Sequence, residues 1–338
     1  MSSSVDGPHR GVRGALVISL DFELAWGVRD TLGVDGPYKQ NLLGAREAVP
    51  RMLDLFARFD IAATWATVGF LFAESRDELL AYAPKLRPSY ADGRFDPYAE
   101  RLGEGERDDP LRFAPSLVAE IASRPRQELA SHTFSHYYCL EDGQTFDQFD
   151  ADLASAAKLA DARGHRLTSL VFPRNQLRTD YLAALVRNGF TAYRGSERNV
   201  LNRPRPGASG SPVVRALRLG DVYLGLTGPG SVAWHDLEPA ADLVNVRGSR
   251  FLRPWSATPS LEALRWHRVA SSMRAAAVSG AIFHLWWHPH NFGANLQQNL
   301  AALTRHLELF AQLRDSYGFA SYSMADVAGL TQRTARQA

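Results

Sequence analysis

The 338-residue chain is 45% hydrophobic and carries a net charge of +2, so it can bury a large core in one α/β domain or two smaller ones. It has no long basic run and no stretch of about 18 apolar residues, which argues against nucleic-acid binding, membrane-surface binding and a helical membrane span. Its one cysteine, Cys139, rules out an intrachain disulfide and fits a reducing compartment. Residues 1–13 are polar and Gly/Ser-rich without the apolar core of a signal peptide, so the expectation is a cytoplasmic protein.

Residues 15–20 form a continuous apolar run that ends in Asp21. Such a run fits a strand covered on both faces, as in parallel sheets. Residues 45–59 have helical spacing through Val49, Met52, Leu53 and Phe56, and residues 61–72 suggest a second strand and a helix start. Strand, helix, strand is the rhythm of a βα unit. Residues 86–109 break it with Pro, Gly, Asp and Arg, as a long surface excursion would. A short helix at 115–123 precedes the strand Glu128-Leu129-Ala130, which runs into Ser131-His132-Thr133-Phe134-Ser135-His136. A helix at 146–163 is followed by a strand at 168–172 that leads into Pro173-Arg174-Asn175. Residues 180–188 read as helix with Gly189 as its stop, and 191–193 as strand. Residues 199–212 are a Pro/Gly/Ser/Arg-rich loop, and 232–254 lack periodicity. A helix at 260–278 with Ser260 as N-cap precedes the strand 281–287, which ends in His288-Pro289-His290. A long helix at 296–317 and a strand at 320–323 complete the pattern.

Four strand ends therefore carry chemistry: Asp21 with Glu23, His132 with His136, Arg174, and His288 with His290. In βα barrels catalytic groups sit at the carboxyl ends of the strands. Asp21 and Glu23, at i and i+2, share a face in extended backbone, so one can bind metal while the other acts as base. One helical turn would put the His132 and His136 imidazoles side by side as a half-site for a transition metal such as zinc. A carboxylate and two imidazoles leave open positions, as catalysis requires. The Arg174 guanidinium is placed to pair with Asp21, and His288 to act as general acid toward a leaving amine. His284 reads as a core histidine bonded to a backbone carbonyl. The role of His290 stays open. Trp26 and Tyr137 lie next to the candidate ligands and could line a sugar groove.

These motifs, in this order across residues 15–323, resemble those of the polysaccharide deacetylases with a NodB-homology domain, the carbohydrate esterase 4-like group. Ser19-Leu20-Asp21-Phe22-Glu23 looks like the variant with one residue between the acids. His132-Thr133-Phe134-Ser135-His136 matches the histidine motif. Phe172-Pro173-Arg174-Asn175 resembles the arginine/proline motif with its order changed, and Leu285-Trp286-Trp287-His288-Pro289 the last motif. Trp234-His235-Asp236 is a loose counterpart of the family's fourth motif. The resemblance implies a distorted (β/α)7-type barrel over 14–325 with a loop insertion at about 86–110, flanked by a flexible segment, 1–13, and a tail, 326–338. It implies that Glu23, His132 and His136 bind a divalent transition metal, with zinc the first choice. Asp21 would then be the base, Arg174 its tether and His288 the acid. The implied reaction is removal of an N-acyl group, such as acetyl, from an amino sugar. A cytosolic location would make that sugar nucleotide- or lipid-linked, in surface-polysaccharide synthesis. Two other readings keep the fold: a hydrolase of a small non-sugar amide or formamide, and a metal-free carbohydrate-binding pseudoenzyme. No nucleic-acid partner is expected, and the sequence does not fix the oligomeric state.

Overall fold

The computed structural model describes residues 13–195, 230–237 and 242–337. The segment expected to be flexible at the N-terminus lies outside these residues apart from Arg13, and so does the Pro-rich loop at 199–212. Nine parallel strands curl into an open barrel: β1 (Ala15–Phe22), β2 (Ala63–Thr67), β3 (Gln127–Ser131), β4 (Ser169–Val171), β5 (Ala192–Arg194), β6 (Val244–Asn245), β7 (Arg250–Phe251), β8 (Ile282–Trp287) and β9 (Ala320–Tyr322). Their order is β6-β5-β4-β3-β2-β1-β8-β7, with β9 also on β1. β1 is central, pairing β8 through residues 15–20 on one edge. On its other edge it pairs β9 in its first half and β2 in its second. The stretch after β6 bridges the gap between β5 and β8. Val246 and Gly248 donate to the Tyr193 and Gly195 carbonyls, while Ser249 donates to His284.

Period-two alternation along these strands builds two different interiors. Leu16, Ile18, Leu20 and Phe22 of β1 face outward into the main core, with Phe283, Leu285 and Trp287 of β8. The helices that cover it include α1 (Lys39–Phe59), α3 (Pro115–Ser123), α4 (Phe146–Ala162), α6 (Pro259–Ser279) and α7 (Leu296–Tyr317), as well as the shorter α2 (Arg76–Tyr82) and α5 (Leu182–Arg187). Ala15 and Val17 face inward with Val171, Ala192, Val244 and Ile282, an apolar plug at the strands' amino ends. Farther along the same inner face come Ser19, His284 and Arg194, all buried, and then Asp21 and the site. The inner face thus changes from apolar to ionisable within about two residues per strand.

Two boundaries and the place of one motif differ from the sequence reading. The helix expected from Ser260 begins at Pro259, with Thr258 as N-cap, because proline's fixed φ suits a first helical position. The end of the chain is not a loose tail: α8 (Met324–Gln337) buries Val327, Ala328 and Thr331. Trp234, Val232 and Leu237 belong to the apolar plug, and the Trp234 indole donates to the Arg13 carbonyl just before β1. Trp234-His235-Asp236 therefore lies at the barrel end opposite the catalytic candidates. The insertion at 86–110 packs as a rim: Arg29 donates to the carbonyls of Arg94 and Phe95 at 2.9 and 2.7 Å, and Phe95 meets Tyr138 edge-on.

Candidate active site

Glu23 is at the centre of the candidate site. It follows β1 directly and is 5% exposed. Its Oε2 lies 3.2 Å from His132 Nε2 and 3.0 Å from His136 Nε2. Its Oε1 lies 3.6 Å from His288 Nε2 and 4.0 Å from His290 Nε2. Room for this carboxylate comes from Gly27, since a Cβ there would overlap the Glu23 carboxyl group.

The two histidines converge, but not through a helical turn. Residues 132–136 form an irregular bend in which Thr133 and His136 have φ of 63° and 58°. Left-handed backbone at a β-branched residue is costly and persists only where the surroundings enforce it. Buried Asp152 of α4 does so, accepting from the Phe134 backbone N–H at 2.7 Å and from the Ser135 N–H and hydroxyl. Thr133 Oγ1 accepts from Tyr137 N–H at 2.7 Å, and Gly69 and Phe70 N–H donate to the carbonyls of Thr133 and Phe134. Burial pushes the Asp152 carboxyl up to about 6 despite those donors.

Asp21 is held by Arg194, not by Arg174 as expected. Arg194 Nη1 and Nη2 donate to the two Asp21 carboxylate oxygens at 2.7 Å each. Further bonds to Ser19 Oγ at 2.9 Å and Asn175 Oδ1 at 3.1 Å orient the guanidinium. Arg174 instead pairs with Asp30 and lies 4.2 Å over the Tyr138 ring. The cause is the β4 exit: Arg174 takes a left-handed φ of 55°, which sends its side chain to the rim. Burial raises the Asp21 carboxyl, but the Arg194 charge, aided by His132, outweighs it and leaves the group below its ordinary range. Burial likewise opposes ionisation of Glu23, yet His288, His132 and His136 hold it well below. His288 Nε2 is 3.7 Å from Asp21 Oδ2. Asn291 donates to His288 Nδ1 at 3.4 Å, which puts the ring's proton on Nε2 when it is neutral. His284 is the core histidine foreseen: Nδ1 donates to the Val246 carbonyl at 3.0 Å and Nε2 meets Ser19 Oγ at 2.8 Å. Trp26 and Tyr137 are buried in the main core, so neither lines a groove.

The donor set fits a divalent transition cation. His132 Nδ1 donates to the Val171 carbonyl at 2.8 Å, which turns Nε2, the nitrogen free to ligate, toward the Glu23 carboxylate. Glu23 Oε2 and the Nε2 atoms of His132 and His136 thus converge, at 3.2 and 3.0 Å, into one set of oxygen and nitrogen donors. A backbone carbonyl behind a ligating imidazole is the usual outer partner of such a ligand. Burial holds His136 down to about 4, so its ring is also a neutral donor.

Residues 35–193 match the family model described as polysaccharide deacetylase. This segment belongs to the polysaccharide deacetylase family. It contains His132 and His136 but neither the β1 acids nor His288, which the fold brings to them. The family's class is that of hydrolases acting on amide bonds, deacetylases of sugar-type substrates. Among solved structures, a protein from Mycobacterium smegmatis assigned as a polysaccharide deacetylase is 14% identical, with a TM-score of 0.57. The alignment covers 98% of this chain and 93% of that one. Puue allantoinase is 13% identical with a TM-score of 0.54, covering 96% and 93% of the two chains. A protein from Pseudomonas aeruginosa PAO1 assigned to the same deacetylase class is 11% identical with a TM-score of 0.53, covering 96% and 94%. At these identities the likeness is one of fold, and it supports the NodB-like barrel. No curated protein matches the chain significantly.

Proposed function

We propose that the chain is a metal-dependent hydrolase that removes an N-acyl group, acetyl first, from an amino sugar. The observation that carries this reading is the convergence of Glu23 Oε2 with the Nε2 atoms of His132 and His136, His132 being turned that way by the bond from its Nδ1 to the Val171 carbonyl. Glu23, His132 and His136 would hold a divalent transition cation, zinc being the choice that suits a carboxylate and two imidazoles. When bound, such a cation lowers the pKa of water and polarises an amide carbonyl. Asp21 is the general base: Arg194 keeps it ionised and fixes its plane, leaving carboxylate lone pairs free to take a proton from the attacking water. His288 carries a proton on Nε2 and is 25% exposed at its side chain, so it can reach a substrate nitrogen and protonate the departing amine. Arg194 is the positioning residue, the role expected of Arg174.

A second reading, hydrolysis of a small non-sugar amide, keeps every role. The deep burial of Asp21, Glu23, His132 and His136 under the rim favours it. Acetate, formate and ammonia release across N-acetylated amino sugars, nucleotide sugars and small amides separates the two readings. Acetate from an amino sugar supports the first, and release only from small amides overturns it. In Asp21→Asn the turnover should fall by a factor of roughly 10²–10⁴, the usual contribution of a general base, with metal content unchanged. Full activity would remove Asp21 as base.

A further inference from the structure

Glu23 presents its two oxygens to two separate imidazole pairs. Oε2 serves His132 and His136, while Oε1 faces His288 and His290 at 3.6 and 4.0 Å. The ligand atoms of the second trio also lie within 4.8 Å of one another. His290 is 3% exposed, its Nδ1 has no hydrogen-bond partner among the described residues, and its Nε2, 4.0 Å from Glu23, is too far for a direct hydrogen bond. Its ring stacks on His288 at 5.1 Å between centroids. Tyr38 closes the other side edge-on at 5.6 Å. Nothing in the acid–base chemistry needs a second buried imidazole beside His288.

We infer that Glu23, His288 and His290 form a second, weaker site for a divalent transition cation, bridged by Glu23 to the first, and that its occupation inhibits the enzyme. The inference rests on the first site being a cation site. Inhibition follows from proton placement. A cation on His288 Nε2 takes the ring as neutral imidazole with its one proton on Nδ1, so the Nε2 proton that the general acid donates passes to solvent and the 3.4 Å contact from the Asn291 amide must turn away. The bridging carboxylate then serves two cations, as in two-metal centres, but here the second occupant removes a catalytic group. The second site should also be the weaker one: its nitrogens lie 3.6 and 4.0 Å from the carboxylate, against 3.2 and 3.0 Å in the first, so its side chains must close in to ligate.

Stripped full-length protein titrated with Zn²⁺ or Co²⁺ alone, followed by calorimetry and by metal analysis after gel filtration, tests this directly. Wild type should bind one equivalent tightly and a second at least tenfold more weakly, and acetate release should fall as the second site fills. His290→Gln should keep the tight equivalent, lose the weak one and resist inhibition by excess metal. His132→Gln should lose the tight event. Wild-type saturation at one equivalent that His132→Gln abolishes would overturn the second site while leaving the first intact. A weak equivalent that persists in His290→Gln would also overturn it. A wild type that binds no metal would overturn the first site as well. The wild-type stoichiometry stands whether or not the buried variants fold.

Discussion

At the scale of single residues, Asp21 depends on a neighbour from a distant strand. Its carboxylate is buried, and without a cation beside it a buried carboxylate takes up a proton. Arg194 prevents that, so Arg194→Met should raise the Asp21 pKa. Because the base must be ionised to work, the acid limb of the kcat/KM profile should move to higher pH, with a loss on the order of 10²-fold from misplacement. Arg174→Met should leave the limb in place, and an equal shift in both variants would contradict the assignment. Gly27 is the matching steric case. In Gly27→Ala the new methyl displaces the Glu23 carboxylate, and metal affinity should fall by roughly 10–100-fold, as for lost support of a ligand. Competition with a chromophoric chelator measures it, and an unchanged affinity would show that Glu23 can move without cost. The i, i+2 spacing of Asp21 and Glu23 could be read in sequence because strand geometry is local. Arg194 carried the same signal as Arg174, an arginine at a strand end, and applying that rule to the strand at 191–193 would have found it. What could not be read was which arginine turns inward, since that depends on the left-handed exit at Arg174.

At the scale of elements, the strand ends were legible and the loops between them were not. Apolar runs placed β1 and β8, the short run Glu128-Leu129-Ala130 placed β3, and each leads into a candidate residue within two positions. The His132–His136 spacing was legible too, but it suggested a helical turn where the chain makes a strained bend. The i, i+4 interval is the same in both, and the difference comes from α4, whose Asp152 lies 16 positions beyond His136. That clamp has a pH signature. Asp152 binds its proton more tightly in the folded chain, at about 6 against an ordinary value of about 4, so folding is favoured by acid and that contribution is lost as pH rises from about 4 to 6. The full span corresponds to about 3 kcal/mol. Asp152→Asn does not titrate, so the wild-type stability measured against it by urea unfolding should decline over that interval. A flat difference would mean that folding leaves the Asp152 pKa unchanged.

For the whole molecule, the barrel sorts one alternating strand pattern into an apolar plug at one end and a reactive layer at the other. β1 and β8 run side by side in parallel register, with Ser19 opposite Trp286, and this brings the acids of one to the histidines of the other. The 86–110 insertion and the 244–251 crossing close the rim and the seam without contributing a ligand. The architecture therefore delivers two imidazole-bearing strand ends, those of β3 and β8, to a single carboxylate, Glu23. The most direct test is the metal content and acetate release of protein purified without added metal, beside His132→Ala prepared identically. The account predicts about one tightly held equivalent of a transition metal in wild type, with metal and activity lost together in the variant and on chelation of wild type. Stoichiometric metal in His132→Ala, or full activity in chelated wild type, would contradict it.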